Sequence, residues 1–471
     1  MGLFPFVRFG EKRYLCRPMT FFAKYREQYV ANLRLAIPVA LSQLGYIATT
    51  FADNAMVGAY GGADTTPLSA VSFGGIIGYI IYFFGLGITL GITPLVGEIF
   101  VRGDRLGSAR YLQSAILLYS LLGIVLAALQ WSLSPLLYYL GQPTEVVDMA
   151  VPYYRLMALT LPPTMLFGAF KQFLEGVGNT KVAMAILVST NLLNILLNWV
   201  FIFGHWGFAP MGVFGAGLAT LIARILNPIL IIAYFVCVRR FRDYLSLFSR
   251  AANMLRHSVT LLKIGFPIAG QMVLEASAWV VTSVMMGWFG SVAISANQIG
   301  VTYGNCTFML VLSLGSAATI RVSHCLGLRD FAQMRRTISA TLQMAVAWNI
   351  VVSTCFIVFR RYLPMAFSDN GDVVALAAQM IVLFALYQIP DAIQCMLVGV
   401  LRGLKDVRPI AYISFAAYIA INIPVGYLFA FTFGLGARGL IYGYVFGLST
   451  AAILYSLRVR STLRKISAQR P

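Results

Sequence analysis

Three of the 16 acidic residues in this 471-residue chain, Asp53, Glu275 and Asp391, fall inside long apolar runs. A carboxylate at mid-bilayer costs about 2.5–3.5 kcal/mol on insertion scales, so such a residue normally faces a cavity and marks an ion or substrate path. Glu275 lies about sixteen residues into its run and Asp391 about eighteen into another that runs the opposite way, which puts both near one midplane. Two carboxylates in one low-dielectric cleft cannot both hold charge cheaply without a cation, so the pair suits a proton, a metal cation or an organic cation. Helical spacing gathers Gln271 and Trp279 with Glu275, and Tyr387 and Cys395 with Asp391, while Gln388 and Gln394 flank the second set. The expected result is a wet acidic stripe with aromatic walls. Its substrate cleft would be lined by Gln271, Trp279, Gln388 and Gln394, and the oxygens of Glu275, Asp391 and Tyr387 could surround Na+.

A second group forms around Asp53. Asp53 and Asn198 each precede the end of their runs by about six residues, and Thr220 follows the start of the next by about eight, so the three share one depth. Asn194 and Asn198 occupy one helical face, extended inward by Asn191. One carboxylate with amide and hydroxyl oxygens suits a hard cation or a proton. Asparagines in membrane helices also simply bond their neighbours. Arg224, one turn from Thr220, is expected to pair with Asp53 or to bond backbone carbonyls, and Arg155 to snorkel toward the interface.

The elements that must carry these groups are transmembrane helices. Hydrophobic residues make up 59% of the chain and charged residues 11%, with a mean hydropathy of +0.80, far outside the range of soluble proteins. Twelve apolar segments can be placed, at 34–59, 68–100, 111–139, 150–176, 182–204, 212–238, 259–289, 292–320, 337–359, 373–401, 409–433 and 436–457. Each is long enough for a ~30 Å hydrocarbon core, which takes about 20 helical residues. The period-2 alternation of a transmembrane barrel is absent, which leaves an all-α bundle.

The net charge of +19 reflects topology and does not point to nucleic acid. Of 35 Lys and Arg, 30 fall on the side holding both termini and the even-numbered loops, three (Arg360, Arg361, Arg438) on the other, and two inside segments. That asymmetry predicts cytoplasmic termini. The six cysteines have no CxxC spacing and the three histidines are scattered, so neither a disulfide framework nor a zinc site is indicated. HExxH and GxSxG are absent, and nothing suggests an enzyme or a resident cofactor.

The chain also repeats itself. "RLAIPVALSQL" matches "KIGFPIAGQMV" with Pro38 on Pro267, an offset of 229. "PPTMLFGAFKQFLEGVGNTK" matches "IPDAIQCMLVGVLRGLKDVR" with Pro163 on Pro390, Thr164 on Asp391 and Gly176 on Gly403, an offset of 227. "NILLNWVF" matches "NIPVGYLF" with Asn194 on Asn422, an offset of 228. Six segments per unit is an even number, so the repeat is parallel, with its axis along the membrane normal. The expected organisation is a basic lead-in at 1–33, a first lobe at 34–238, a cytoplasmic linker at 239–258, a second lobe at 259–457 and a tail at 458–471. Two six-helix lobes facing a central cleft can open it to either side by rocking.

Three segments carry a resemblance to a known family. "LAIPVALSQLGYIATTFADNAMVGAYG", "IGFPIAGQMVLEASAW" and "LFALYQIPDAIQCMLVGVLRGLKD" resemble the first, seventh and tenth helices of the multidrug and toxic compound extrusion (MATE) family. A Glu in segment 7 with an Asp in segment 10 is similar to its NorM-like branch, and the likeness spans residues 34 to about 455. It implies a bacterial inner-membrane antiporter, monomeric, that expels cationic amphipathic drugs and dyes in exchange for Na+ or H+. By resemblance, cation roles fall to Glu275, Asp391 and Tyr387, and in the first lobe to Asp53, Asn194, Asn198 and Thr220. Sodium is the ion the oxygen count favours. The 33-residue lead-in is longer than is usual for that branch. The alternative, a flippase for lipid-linked oligosaccharide precursors, would call for a cationic cleft, whereas here three acids face one base, Arg224.

Overall fold

The computed structural model describes residues 21–62, 64–248 and 254–468, all helical or in short connections. The first half comprises α1 (Phe21–Gly61), α2 (Thr66–Thr89), α3 (Ile92–Val101), α4 (Arg105–Ser132), α5 (Thr144–Leu159), α6 (Leu161–Gly176), α7 (Thr180–Phe203) and α8 (Gly212–Cys237). After the short basic α9 (Arg239–Ser246), the second half follows with α10 (Met254–Gly287), α11 (Ser291–Gly327), α12 (Phe331–Phe359), α13 (Gly371–Gly403), α14 (Arg408–Ser414), α15 (Ile423–Tyr427) and α16 (Ala437–Ala468). A π-helical stretch, Phe415–Asn422, joins α14 to α15, and a second, Leu428–Thr432, continues α15 to complete one span.

Among the described residues, eleven helical spans are long and apolar enough to cross a membrane. The expected twelfth, 150–176, is instead two 16-residue helices, α5 and α6, meeting at Thr160. The cause is local: Pro162 and Pro163 remove two successive N–H donors, so the helix restarts there. The matching position of the second half has one proline, Pro390, and α13 runs through it unbroken. Several helices also outrun their predicted segments. Residues 21–33 of the predicted lead-in form the first turns of α1, and the predicted tail continues α16 to Ala468. Residues 1–20 of the lead-in and 249–253 of the linker lie outside the described residues.

The internal repeat extends to the connections. Asp104 caps α4 through the Gly107 N–H, and Asp330 caps α12 through the Gln333 N–H, 226 residues apart in the two halves. Gly178 and Lys405, 227 apart, both take positive φ (82° and 61°) just past α6 and α13. There the backbone closes with Asn179 N–H to Leu174 O (2.8 Å) and Asp406 N–H to Leu401 O (3.0 Å).

Packing differs sharply between the two ends of the molecule. At the end bearing the basic loops, a single apolar core runs through both halves and includes Ile92, Leu95 and Phe173 of the first and Ile268, Val322 and Leu401 of the second. At the opposite end each half has its own core, around Val57, Val147 and Ile202 in one and Ala278, Phe384 and Leu440 in the other. Helices from the two halves meet backbone to backbone at the basic end. A Cβ at Gly265 of α10 would lie 2.7 Å from the Ile88 carbonyl oxygen of α2, so only glycine permits the approach.

Polar contacts seal the same end. Glu98 of α3 is paired with Arg102 of its own lobe and with Lys405 of the other. Arg102 Nε donates to the Gly327 carbonyl at 3.2 Å, and the His324 ring nitrogen Nε2 lies 2.7 Å from the Gly176 carbonyl oxygen. On α1, Asn32 accepts from Arg321 at 2.6 Å and donates to Thr341 at 3.0 Å. The two lobes are therefore joined at the basic end and separate toward the other.

Candidate functional site

The first-lobe group assembles where α1, α7 and α8 meet. Asn198 Nδ2 donates to Asp53 Oδ1. Asn194, with its amide nitrogen turned to Asp53, donates to the same oxygen at 3.1 Å while its own oxygen accepts from the Thr220 N–H at 3.2 Å. Both asparagines are buried, at 2% and 0% exposure, so these bonds cannot be exchanged for water without opening the helix interface. The four residues grouped from sequence are thus in contact, and Asp53 Oδ2 takes no hydrogen bond among the described residues.

Asp53 and Arg224 line one cavity of about 480 Å³, a size suited to small organic ligands. Its wall is mostly first-lobe, with Tyr46, Tyr79, Tyr82 and Tyr153 supplying four aromatic surfaces and Gln298 of α11 reaching in from the second lobe. Arg224 does neither of the things expected of it. Its guanidinium makes no ion pair or hydrogen bond among the described residues and lies over the Tyr46 ring, 5.5 Å from the centroid. Arg155 behaves as an anchor, donating to Ser134 at 3.1 Å and covering Trp131.

The second-lobe group lies between α10 and α13. Gln271 Nε2 donates to Glu275 at 2.7 Å, and Gln394 Nε2 donates to Asp391 at 3.2 Å. The two carboxylates interact electrostatically with each other. Trp279 stacks on Tyr444 at 4.4 Å between centroids, and Tyr387 packs against the same ring at 6.0 Å. Gln388 turns away to Thr307 of α11 (3.1 Å). Of the expected cleft residues, Gln271 and Gln394 hold the carboxylates, Trp279 builds the wall, and Gln388 ties α13 to α11.

Sequence position puts Arg402 among the basic-loop residues, yet its half-buried side chain turns into the second lobe. Its Nη2 donates to Gln271 Oε1 at 2.7 Å, so Gln271 bridges Arg402 and Glu275. Its Nε has no partner among the described residues. Glu275, Asp391 and Arg402 together carry one net negative charge, which a single monovalent cation balances. An acceptor for such a cation is present: Gln394 Oε1 is buried and unpartnered beside Asp391. Among the described residues no three His, Cys, Asp or Glu side chains cluster, so multidentate binding of a divalent metal has no ligand set here.

Sequence reasoning also missed Tyr418, buried beside these carboxylates on the π-helical stretch, and Asn422, buried on the same stretch against Tyr444. The repeat held the signal for Asn422, which is the counterpart of Asn194. It also held one for Tyr46, which stands 229 residues before Glu275 and lines the first-lobe cavity as Glu275 does the second-lobe cluster.

Two matched helical lobes, each with a carboxylate set at membrane depth and joined at one end only, define a secondary membrane transporter. The MatE family profile matches the chain twice, over residues 38–200 and 267–428, so its two starts coincide with Pro38 and Pro267. The chain is 31% identical over 441 residues to the multidrug resistance protein NorM of Photobacterium profundum, covering 93% of this chain and 96% of that one. It is 31% identical over 447 residues to a probable multidrug resistance protein NorM of Rhizobium meliloti, covering 93% and 94%. The crystal structure of the Vibrio cholerae MATE transporter VcmN in its bent form superposes with a TM-score of 0.83 at 19% identity, over 94% and 99% of the two chains. The chain belongs to the MatE family and is a transporter, not an enzyme.

Proposed function

We propose that this chain is an ion-coupled multidrug efflux antiporter of the bacterial cytoplasmic membrane, with both termini cytoplasmic, acting on organic cations as a monomer. The observation that carries this reading is the cavity at Asp53, which lies in the separated part of the molecule while Glu98, Lys405 and Arg102 seal the basic end. With the basic end cytoplasmic, this is an outward-open state in which drug leaves and coupling ion enters. The names of the two NorM relatives support the same activity.

Ion and drug are assigned to different groups. Glu275, Asp391 and Tyr387, with the spare Gln394 oxygen, form the second-lobe cation site, where the net charge of minus one admits one Na+ or H+. Asp53, Asn194, Asn198 and Thr220 form a first-lobe site that couples the cavity to helix packing, because Asp53 is bonded to the buried face of α7. Sodium is the favoured ion, since Glu275, Asp391, Tyr387 and Gln394 offer several oxygens where a proton needs one. Its entry down a 100 mV potential supplies about 2.3 kcal/mol per charge.

The test is efflux of a fluorescent cation from loaded proteoliposomes at clamped pH. A sodium pulse accelerates release, and the acceleration is absent in Asp391→Asn. Release that follows only a pH jump assigns the coupling to protons, and release indifferent to either gradient ends the antiporter reading.

A further inference from the structure

The drug cavity contains a cation of its own. Arg224 sits inside the membrane-spanning α8, lines the cavity with Asp53, and is the only Lys, Arg or His among the described residues lining it. One face of its guanidinium is covered by the Tyr46 ring. The planar fork of N–H donors finds no carboxylate, carbonyl or hydroxyl among the described residues. A charge inside a membrane-spanning segment is normally paired, and here the described residues supply neither an ion pair nor a hydrogen bond.

Asp53 has the complementary gap. Both of its amide partners, Asn198 and Asn194, use Oδ1, and Oδ2 has no hydrogen bond among the described residues. The two groups are near enough to interact electrostatically without forming an ion pair. The cavity is therefore formally neutral but split into a guanidinium and a carboxylate, with tyrosine rings on its walls. A plain organic cation gains Asp53 and is opposed by Arg224. A molecule with a carboxylate and a positive nitrogen on one aromatic frame satisfies both.

We infer that Arg224 is a specificity residue for zwitterionic aromatic ligands: it takes the ligand carboxylate through its free fork while the ligand cation rests toward Asp53 Oδ2 among the tyrosines. This deepens the efflux reading and rests on it, since it names the ligand class of the same cavity.

The test uses rhodamine B, which carries a xanthylium cation and a free carboxylate, and its ethyl ester, the same dye with the carboxylate blocked. Binding to the purified full chain is followed by fluorescence polarisation at neutral pH. The wild type binds the zwitterion more tightly than the ester by roughly tenfold, the scale of one charge-assisted hydrogen bond. Arg224→Gln loses that preference while holding or improving ester binding, and Arg224→Lys, which keeps the charge but not the fork, retains part of it. Arg155→Gln, outside the cavity, changes neither dye, and monodisperse elution confirms that each variant is folded. Equal affinity for the two dyes in wild type, or equal loss of both in Arg224→Gln, overturns the inference, while efflux of the ester by the same protein leaves the transport reading standing. Failure of wild type to bind or expel either dye removes the efflux reading itself.

Discussion

Asn198 donates to Asp53 across 145 positions of sequence, fastening the outer half of α1 to α7. Under the proposed coupling role the protonation state of this carboxylate is a mechanical variable, because an ionised Asp53 accepts from two buried amides and a neutral one needs fewer.

Asp53→Asn is therefore expected to leave the protein folded and to weaken equilibrium drug binding only in part, because the tyrosine walls and Arg224 remain, but to abolish gradient-driven efflux. Asn198→Ala, which leaves Asp53 short of a donor in a tightly packed interface, is expected to lower stability by about 1–3 kcal/mol as well. Paired efflux and polarisation measurements on the purified variants decide this. If Asp53→Asn loses drug binding as completely as transport, the residue acts as a drug ligand alone and the coupling role is wrong.

In the second lobe, Glu275→Gln and Asp391→Asn are near-isosteric and each removes the net negative charge of the cluster. Both are expected to insert normally and to lose efflux nearly completely. Arg402→Gln moves the balance the other way, to two uncompensated carboxylates, and should impair transport while raising the number of cations bound. Radiolabelled sodium binding by equilibrium dialysis reads this out. Wild-type efflux from both neutralised variants at equal expression would remove the cluster from the mechanism.

Lys405 pairs with Glu98 across the lobes at the basic end, and Glu98 also holds Arg102, which reaches the Gly327 carbonyl. Glu98→Gln breaks this junction at its centre, so it should shift the population toward a state open at the basic end. Spin labels at the exposed Leu106 and Leu328, one in each lobe, are expected to give longer and broader distances in the variant by double electron–electron resonance. Distance distributions that coincide with wild type would mean that the shared apolar core and the remaining contacts hold the closure without Glu98.

Much of this architecture is legible in the sequence because the signals are local or periodic. Helix existence follows from hydropathy, and the matching of Pro38 with Pro267 locates both lobes. Asp53, Asn194, Asn198 and Thr220 can be grouped because straight helices of known polarity place residues at a computable depth. What escapes depends on departures from that regularity. The break at Thr160 requires reading Pro162–Pro163 as two lost donors, not as one kink. Tyr418 faces the carboxylates from a π-helical stretch, which rotates a helix face away from the i, i+4 rule. Arg402 lies near a segment end, where a long basic side chain ordinarily snorkels outward, and only the amide of Gln271 on another helix turns it inward. No pattern within one chain segment reports that the lobes touch at one end, since the contact is set by glycines on different helices.

The last prediction concerns stability outside the membrane-spanning region. Burial alone would raise the pKa of Asp406. The hydrogen bonds from Arg458 and Thr462 and the charges of Arg458 and Lys465 outweigh it and hold the carboxyl below its ordinary value. The geometry is a two-pronged guanidinium contact, with Arg458 Nε to Oδ2 at 2.7 Å and Nη2 to Oδ1 at 2.9 Å, joined by the Thr462 hydroxyl at 2.7 Å. A carboxylate whose folded pKa is depressed adds stability above its unfolded pKa of about 3.9, and that stability is lost as pH falls through the folded value. The site is partly solvated, so the contribution is held to about 1 kcal/mol or less. Asp406→Asn should thus melt slightly below wild type at pH 7, with the gap closing as the pH is taken below about 4. Thermal scans of the solubilised protein between those limits at a fixed heating rate check this. A gap that stays constant down to the acid limit would show that Asp406 acts through packing and not through charge.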